Sequence, residues 1–229
     1  MFSRLDSPRV LAIGAHPDDI EFGAGGFIYR LIAEKKADVT YLIMTLGLKG
    51  IRNPNRYNPE SRREEAEEAA KVLGVKNVIV KNHADCGLHL EGHDLIQEIE
   101  ECMRLGETGS SRPPYDIVLT HSGEDAHADH REVHEATVSG LRSSWPTMLL
   151  YQSPSTKPNG FRPTFFVKLN EQTLARKLQA LLAHESQRSR KYMTTASIKA
   201  MASTWSFFHR APNEHFEAFE VYKTRWADE

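Results

Sequence analysis

The sequence has little of several things, and each shortage removes a class of function. Two cysteines in 229 residues, Cys86 and Cys102, make neither a disulfide framework nor a Cys-x-x-Cys pair. The chain therefore reads as reduced rather than secreted and stapled. The formal net charge is only −2, which gives no overall field for nucleic acid or an anionic membrane. The one short basic cluster, Arg188-Ser189-Arg190-Lys191, reads as a solvated helix face. No run approaches the roughly 20 apolar residues of a membrane span. The residues after Met1 lack the apolar stretch of a signal peptide, and the expected location is the cytoplasm. No repeat and no long linker divides the chain, and a hydrophobic content of 40% suffices for one full core.

What is present is an alternation of short apolar runs with amphipathic ones. Val10 to Ala15, Val39 to Leu46, Asn77 to Lys81 and Tyr115 to Thr120 read as buried strands. Between them lie an amphipathic run from Phe27 to Lys36 and helices over 60–73 and 92–105, with another at 131–142 after the fourth strand. Gly106 to Pro114 is a loop. The order β-α-β-α-β-α-β-α demands right-handed crossovers and a mostly parallel sheet flanked by helices. The last third differs. Short strands at 148–151 and 165–169, helices at 171–183 and within 194–209, and an alternating strand at 216–222 read as a smaller extension. The expectation is one α/β domain over 1–229, with a Rossmann-like core to residue 145 and an extension from 146.

The chemistry concentrates where two strands end. Proline stops the first strand, and His16-Pro17-Asp18-Asp19 crowds an imidazole and two carboxylates into one turn. Adjacent carboxylates repel unless a cation or a proton sits between them. After the fourth strand comes His121-Ser122-Gly123-Glu124-Asp125-Ala126-His127-Ala128-Asp129-His130. Open α/β sheets bind ligands at the carboxyl ends of their strands, and the two clusters read as halves of one site. A catalytic zinc site has three protein ligands and an open position. His16 and Asp19, three apart on a turn, supply two; His121, His127, Asp129 and His130 are the choices for the third. Gly23-x-Gly25-Gly26 does not fit the dinucleotide fingerprint, and acidic residues occupy the turn where a pyrophosphate would lie.

The His16-Pro17-Asp18-Asp19 turn and His127-Ala128-Asp129-His130 resemble the two signatures of the LmbE-like, or PIG-L-like, zinc-dependent N-deacetylases. The resemblance covers most of the chain and is strongest from residue 8 to about 140. It implies that His16, Asp19 and His130 hold Zn2+, that Asp18 is the general base, and that His127 stabilises or protonates the tetrahedral intermediate. It implies that Asp129 orients and charges His127. It also makes Arg62 a substrate-contacting arginine, against the plainer alternative of a helix-surface ion pair with neighbouring glutamates. Asp85 resembles a sugar-hydroxyl-binding aspartate, with a turn role as the alternative. Some members carry a tyrosine as an extra oxyanion donor where this chain has Asp125. His184-Glu185-Ser186-Gln187 resembles a further family segment near the pocket.

The function implied is removal of an N-acyl group, chiefly acetyl, from a small amino sugar or its glycoside. Relatives that form trimers or hexamers make a homo-oligomer an expectation. Three readings compete: a non-haem iron oxygenase built on a 2-His-1-carboxylate triad, which belongs on all-β scaffolds; a non-catalytic carbohydrate-binding module; and an amidase for larger thiol-conjugate amides. Loops 47–59 and 153–163 carry no readable code for the substrate.

Overall fold

The computed structural model describes residues 6–105, 114–144 and 146–224. The expected alternation is present: β1 (Arg9–Gly14), α1 (Asp19–Lys35), β2 (Asp38–Thr45), α2 (Pro59–Leu73), β3 (Asn77–His83), α3 (Gly92–Leu105), β4 (Ile117–His121), α4 (Ala128–Gly140) and β5 (Thr147–Tyr151). β6 (Phe165–Leu169), α5 (Glu171–Ala183), α6 (Thr195–Ser203) and β7 (His215–Lys223) follow. Most of the loop expected at 106–114 lies outside the described residues. Among those described, seven strands form one sheet in the order β3-β2-β1-β4-β5-β7-β6. β1 to β5 pair in parallel, and β7 enters antiparallel between β5 and β6. This is the α/β class with a mostly parallel sheet, not the all-β scaffold of the iron reading. The expected boundary at 145 falls inside the parallel part, because β5 pairs in parallel with β4 from Thr147 to Tyr151.

Alternate residues of the strands face two helical layers. Val10, Ala12, Tyr41, Ile43 and Leu119 pack against α1, α2 and α5, while Leu11, Ile13, Leu42, Met44 and Val118 pack against α3 and α4. The order of strands then locates the site. The chain leaves β1 toward β2 and β3, and returns to place β4 on the other side of β1. The crevice outside the carboxyl ends of β1 and β4 is the reversal point at which open sheets bind ligands.

α1 begins earlier than its amphipathic pattern predicts. It starts at Asp19, so Glu21 to Gly26 is helix, and every residue of that stretch is buried. Glycine inside a helix costs about 1 kcal/mol relative to alanine, and contact offsets that cost here. A Cβ at Gly23 would lie 2.2 Å from Tyr151 Cδ2, and one at Gly26 2.5 Å from Leu169 Cδ2. Bare backbone is what lets α1 lie against β5 and β6. A buried Lys177–Glu217 pair, 2.5 Å apart, braces the same segment. The Gly26 and Phe27 N–H groups donate to Glu217, and Lys177 donates to the Phe22 carbonyl.

Gly23→Ala should destabilise the protein by about 1–3 kcal/mol, the range for overpacking, read as a lower urea midpoint. Gly92→Ala is the control, since no atom lies within 4 Å of its added methyl. Equal midpoints for the two variants would remove the close approach of α1 as the reason for Gly23.

Candidate active site

Asp19 stands at the centre of the crevice. It opens α1, is 6% exposed, and meets histidines from both clusters. Its Oδ2 accepts the His16 backbone N–H at 2.7 Å and lies 3.3 Å from His16 Nδ1. Its Oδ1 lies 3.3 Å from His130 Nε2. Burial would raise its pKa, but the facing His130 and His121 hold the carboxyl well below the usual range. His121 Nε2 is also 3.3 Å away, yet that nitrogen accepts the Ala15 N–H at 3.1 Å. Burial and neighbouring His130 push His121 down to about 4. Its lone pair is therefore engaged, and of the choices for a third ligand His130 fits best.

One ligand atom from each of His16, Asp19 and His130 lies within 4.8 Å of the others. Each imidazole has a ring nitrogen 3.3 Å from an Asp19 carboxylate oxygen, His16 Nδ1 from Oδ2 and His130 Nε2 from Oδ1, so the three side chains could hold one ion between them. Each imidazole also has a carboxylate behind it. His16 Nε2 is 3.3 Å from Asp129 Oδ2 and from Asp85 Oδ1, and His130 Nδ1 is 3.2 Å from Asp125 Oδ2, out of line for a hydrogen bond. Such outer carboxylates orient metal-binding histidines and raise their basicity. Burial works against both imidazolium forms, but the acids win: His16 titrates well above its ordinary value, and His130 at about 9. Carboxylates of Asp18, Asp19, Asp85, Asp125 and Asp129 converge on this crevice, an excess of negative charge that a divalent cation balances. The donor set fits zinc or a similar ion.

Asp18 differs from its neighbour. Its backbone has φ 108°, in the region that favours glycine, and its carboxylate does not cap α1. Aspartate is a favoured N-cap and such a φ costs about 1–3 kcal/mol, so the turn holds this side chain out of its ordinary role. Burial raises its pKa to about 6, against the pull of the Arg62 charge. His127 stacks on His130 at 4.6 Å between centroids and sits edge-on to His16 at 4.9 Å. Burial, then the His130 and His16 charges, push its pKa down. The expected pairing of Asp129 with His127 is not a hydrogen bond here. Asp129 Oδ2 instead accepts the Cys86 N–H at 2.7 Å and faces His16.

Arg62 is neither a surface residue nor a free one. It is 1% exposed and donates to the Leu46 carbonyl, Glu65, Ser186 Oγ and, at 2.8 Å, the Pro17 carbonyl. Glu65 accepts in turn from the Ser186 N–H and hydroxyl. The arginine thus clamps the His16–Asp19 turn to α2 and to the segment after α5. Asp85 lines the cavity while accepting the Lys49 N–H at 2.5 Å. His184 is fully buried, with Nε2 3.5 Å from Glu21 Oε2, behind Asp18 rather than in the cavity wall. Asp125, at the position of the missing tyrosine, is buried and accepts from Ser153, Ser155, Thr156 and the His127 N–H. Its role behind His130 was signalled only by its place in the acidic cluster. The cavity measures about 400 Å³, and Lys49, Gln187, Arg190 and Tyr192 also line it.

The sequence profile of the family described as "PIG-L: GlcNAc-PI de-N-acetylase" matches residues 11–141. The chain is 35% identical over 181 residues to the "Uncharacterized deacetylase YaiS" of Escherichia coli (strain K12), covering 77% of this chain and 90% of that one. It is 30% identical over 196 residues to the "Diacetylchitobiose deacetylase" of Thermococcus kodakarensis, covering 80% and 71%. The solved structure of GalB, the 4-carboxy-2-hydroxymuconate hydratase of Pseudomonas putida KT2440, superposes with a TM-score of 0.77 at 17% identity, covering 97% of this chain and 99% of that one. That likeness concerns the fold alone.

Arg62→Ala leaves Glu65 buried without its cation, a change that costs about 3–5 kcal/mol. The expected result is a large fall in the urea midpoint. Arg62 also lines the cavity, and a variant of native stability whose only defect is a raised KM would make it a substrate contact rather than a clamp.

Proposed function

The chain belongs to the PIG-L family of GlcNAc-PI de-N-acetylases, and from that premise we propose that it hydrolyses the N-acetyl group of a small amino sugar or its glycoside, with a divalent ion, zinc first, held by His16, Asp19 and His130. Its relatives are named deacetylases, one of them acting on diacetylchitobiose, which supports the substrate class. Such an ion supplies a Lewis acid and lowers the pKa of its water to about 7.

The observation that carries the reading is the contrast between adjacent aspartates. Asp19 is saturated by histidines, whereas the Asp18 carboxylate lines the cavity with no hydrogen-bond partner among the described residues. A buried carboxylate at about 6 is ionised near neutral pH, yet still basic enough to take a proton from an attacking water. Arg62 keeps that group from rising further while holding Pro17 in place. His127 lines the same cavity, and burial disposes it to be neutral before substrate arrives. As an acyl oxygen gains negative charge, an imidazole N–H there would donate a hydrogen bond to it, and the departing amine would take the proton that Asp18 removed from the water. The cavity, at about 400 Å³, admits a sugar with a substituent.

His16→Ala, Asp19→Ala and His130→Ala should each lose bound metal, read by elemental analysis of the purified protein. Asp18→Asn should keep its metal and lose turnover by about 10²–10⁴-fold, the share of a general base, measured as amine release from N-acetylglucosamine. Loss of metal in Asp18→Asn with retention in Asp19→Asn would exchange the two roles.

A further inference from the structure

His83 ends β3 and does not line the cavity, yet both of its ring nitrogens rest on carboxylates. Nδ1 meets Glu91 Oε2, from the turn before α3, and Nε2 lies 2.8 Å from Glu98 Oε2, from the middle of α3. Ionised carboxylates only accept, and a neutral imidazole has a single N–H, so both bonds form together only to an imidazolium. Lys81 of β3 faces the same group, with Nζ 3.2 Å from Glu98 Oε1. On the β2 side the residue in register with His83 is Thr45, which is uncharged. Burial works against the imidazolium, but the hydrogen bonds to Glu98 and Glu91 outweigh it, and the pKa of His83 is raised. His83 in turn holds the Glu91 carboxyl below its ordinary value.

This clip closes a loop that reaches the candidate active site. Glu91 Oε1 also accepts the Ala84 N–H at 3.2 Å, so one carboxylate joins residues 83 and 84 to residue 91, the two ends of the loop between β3 and α3. The loop itself is tight: the Gly87 N–H donates to the Ala84 carbonyl at 2.9 Å, and Cys86 takes φ 57°. It carries two groups to the same imidazole. Asp85 Oδ1 is 3.3 Å from His16 Nε2, and the Cys86 N–H donates to Asp129 Oδ2, which faces that nitrogen too. We propose that His83 is a positioning residue for the hydrolysis: as an imidazolium it ties Glu91 to Glu98 and so holds the Asp85–Cys86 turn against His16 and Asp129. The kinetic consequence rests on the deacetylase reading, and the structural one does not. The tie is complete below the ordinary histidine pKa of about 6.5. It is lost as pH rises through the raised value of His83, because a neutral ring can donate to only one of the two acids.

The test follows the His83 ring by NMR in the full, zinc-loaded chain, its signals assigned through the backbone. Glu98→Gln should lower the pH at which that ring titrates by about 1, the low end for loss of a charge in contact. Glu101→Gln, at an exposed position of the same helix, is the control and should leave it in place. Exchange protection of the Ala84 and Cys86 amides, corrected for the intrinsic pH dependence of exchange, should fall several-fold as His83 loses its proton. The fall should come at lower pH in Glu98→Gln and be present at every pH in His83→Gln. With N-acetylglucosamine and amine release as the readout, KM should rise over the same range while kcat changes less. Asp85 lines the cavity, whereas the turn that carries Asp18 is held from another side by Arg62 on Pro17. The rise in KM should move with the His83 titration in Glu98→Gln. Protection at Cys86, or a KM, that does not follow the His83 titration overturns the proposal, as does native behaviour of His83→Gln. Should His83→Gln fail to fold, Glu98→Gln still decides between these outcomes. Protection that follows the His83 titration in a protein that releases no amine overturns the deacetylase reading and leaves the hold of His83 on the turn standing.

Discussion

The site depends on one buried carboxylate that both halves of the chain must reach. Asp19 receives His16 from its own turn, His121 from the end of β4 and His130 from the first turn of α4. Those contacts exist only because β4 lies directly beside β1, with Val10 opposite Ile117 and Ala12 opposite Leu119. Everything that fixes β1 and α1 therefore bears on the chemistry. The bare backbone at Gly23 sets α1 against Tyr151, whose hydroxyl donates to the Ile13 carbonyl just before the turn. Arg62 holds the turn from the other side through Pro17. An aspartate at φ 108° persists because these neighbours over-determine it.

What was legible in the sequence follows from where the information is local. The strand ends, the α5 limits and the two clusters are each encoded in a short window. Asn170 caps α5 through the Thr173 N–H, and the apolar periodicity does the rest. The start of α1 was not legible from its amphipathic run, which begins at Phe27, and only the fold identifies Tyr151 and Leu169 as what presses on Gly23 and Gly26. Arg62 showed its neighbouring Glu65 but not Ser186 or Pro17, which arrive from distant segments. Asp125 likewise gains its meaning from Ser153, Ser155 and Thr156, some 30 residues on.

The fold does not choose the chemistry. A hydratase shares it at a TM-score of 0.77. What separates reactions on such a scaffold is the treatment of the groups at the reversal point. Here the pattern is one aspartate neutralised by histidines and a second with no side-chain hydrogen bond among the described residues. Hydrolysis needs that division: one carboxylate fixed on a cation and one still able to accept a proton.

The outer carboxylates sharpen this. Asp125 and Asp129 stand behind His130 and His16, the two imidazoles of the proposed metal set, and neither hydrogen-bonds the His127 ring. Negative charge is thus invested where it strengthens ligands, while His127 is pushed by burial toward its neutral form. A permanent imidazolium at that position would compete with the proposed dication for the same field and would attract the carboxylate of Asp18, the proposed base. A neutral imidazole does neither. Its N–H becomes strongly favourable only when an oxyanion forms opposite it, so its contribution falls on the transition state rather than on substrate binding. The weak link between Asp129 and His127 is then a consistent feature of the arrangement, since a tighter one would stabilise charge before the reaction creates any to oppose it.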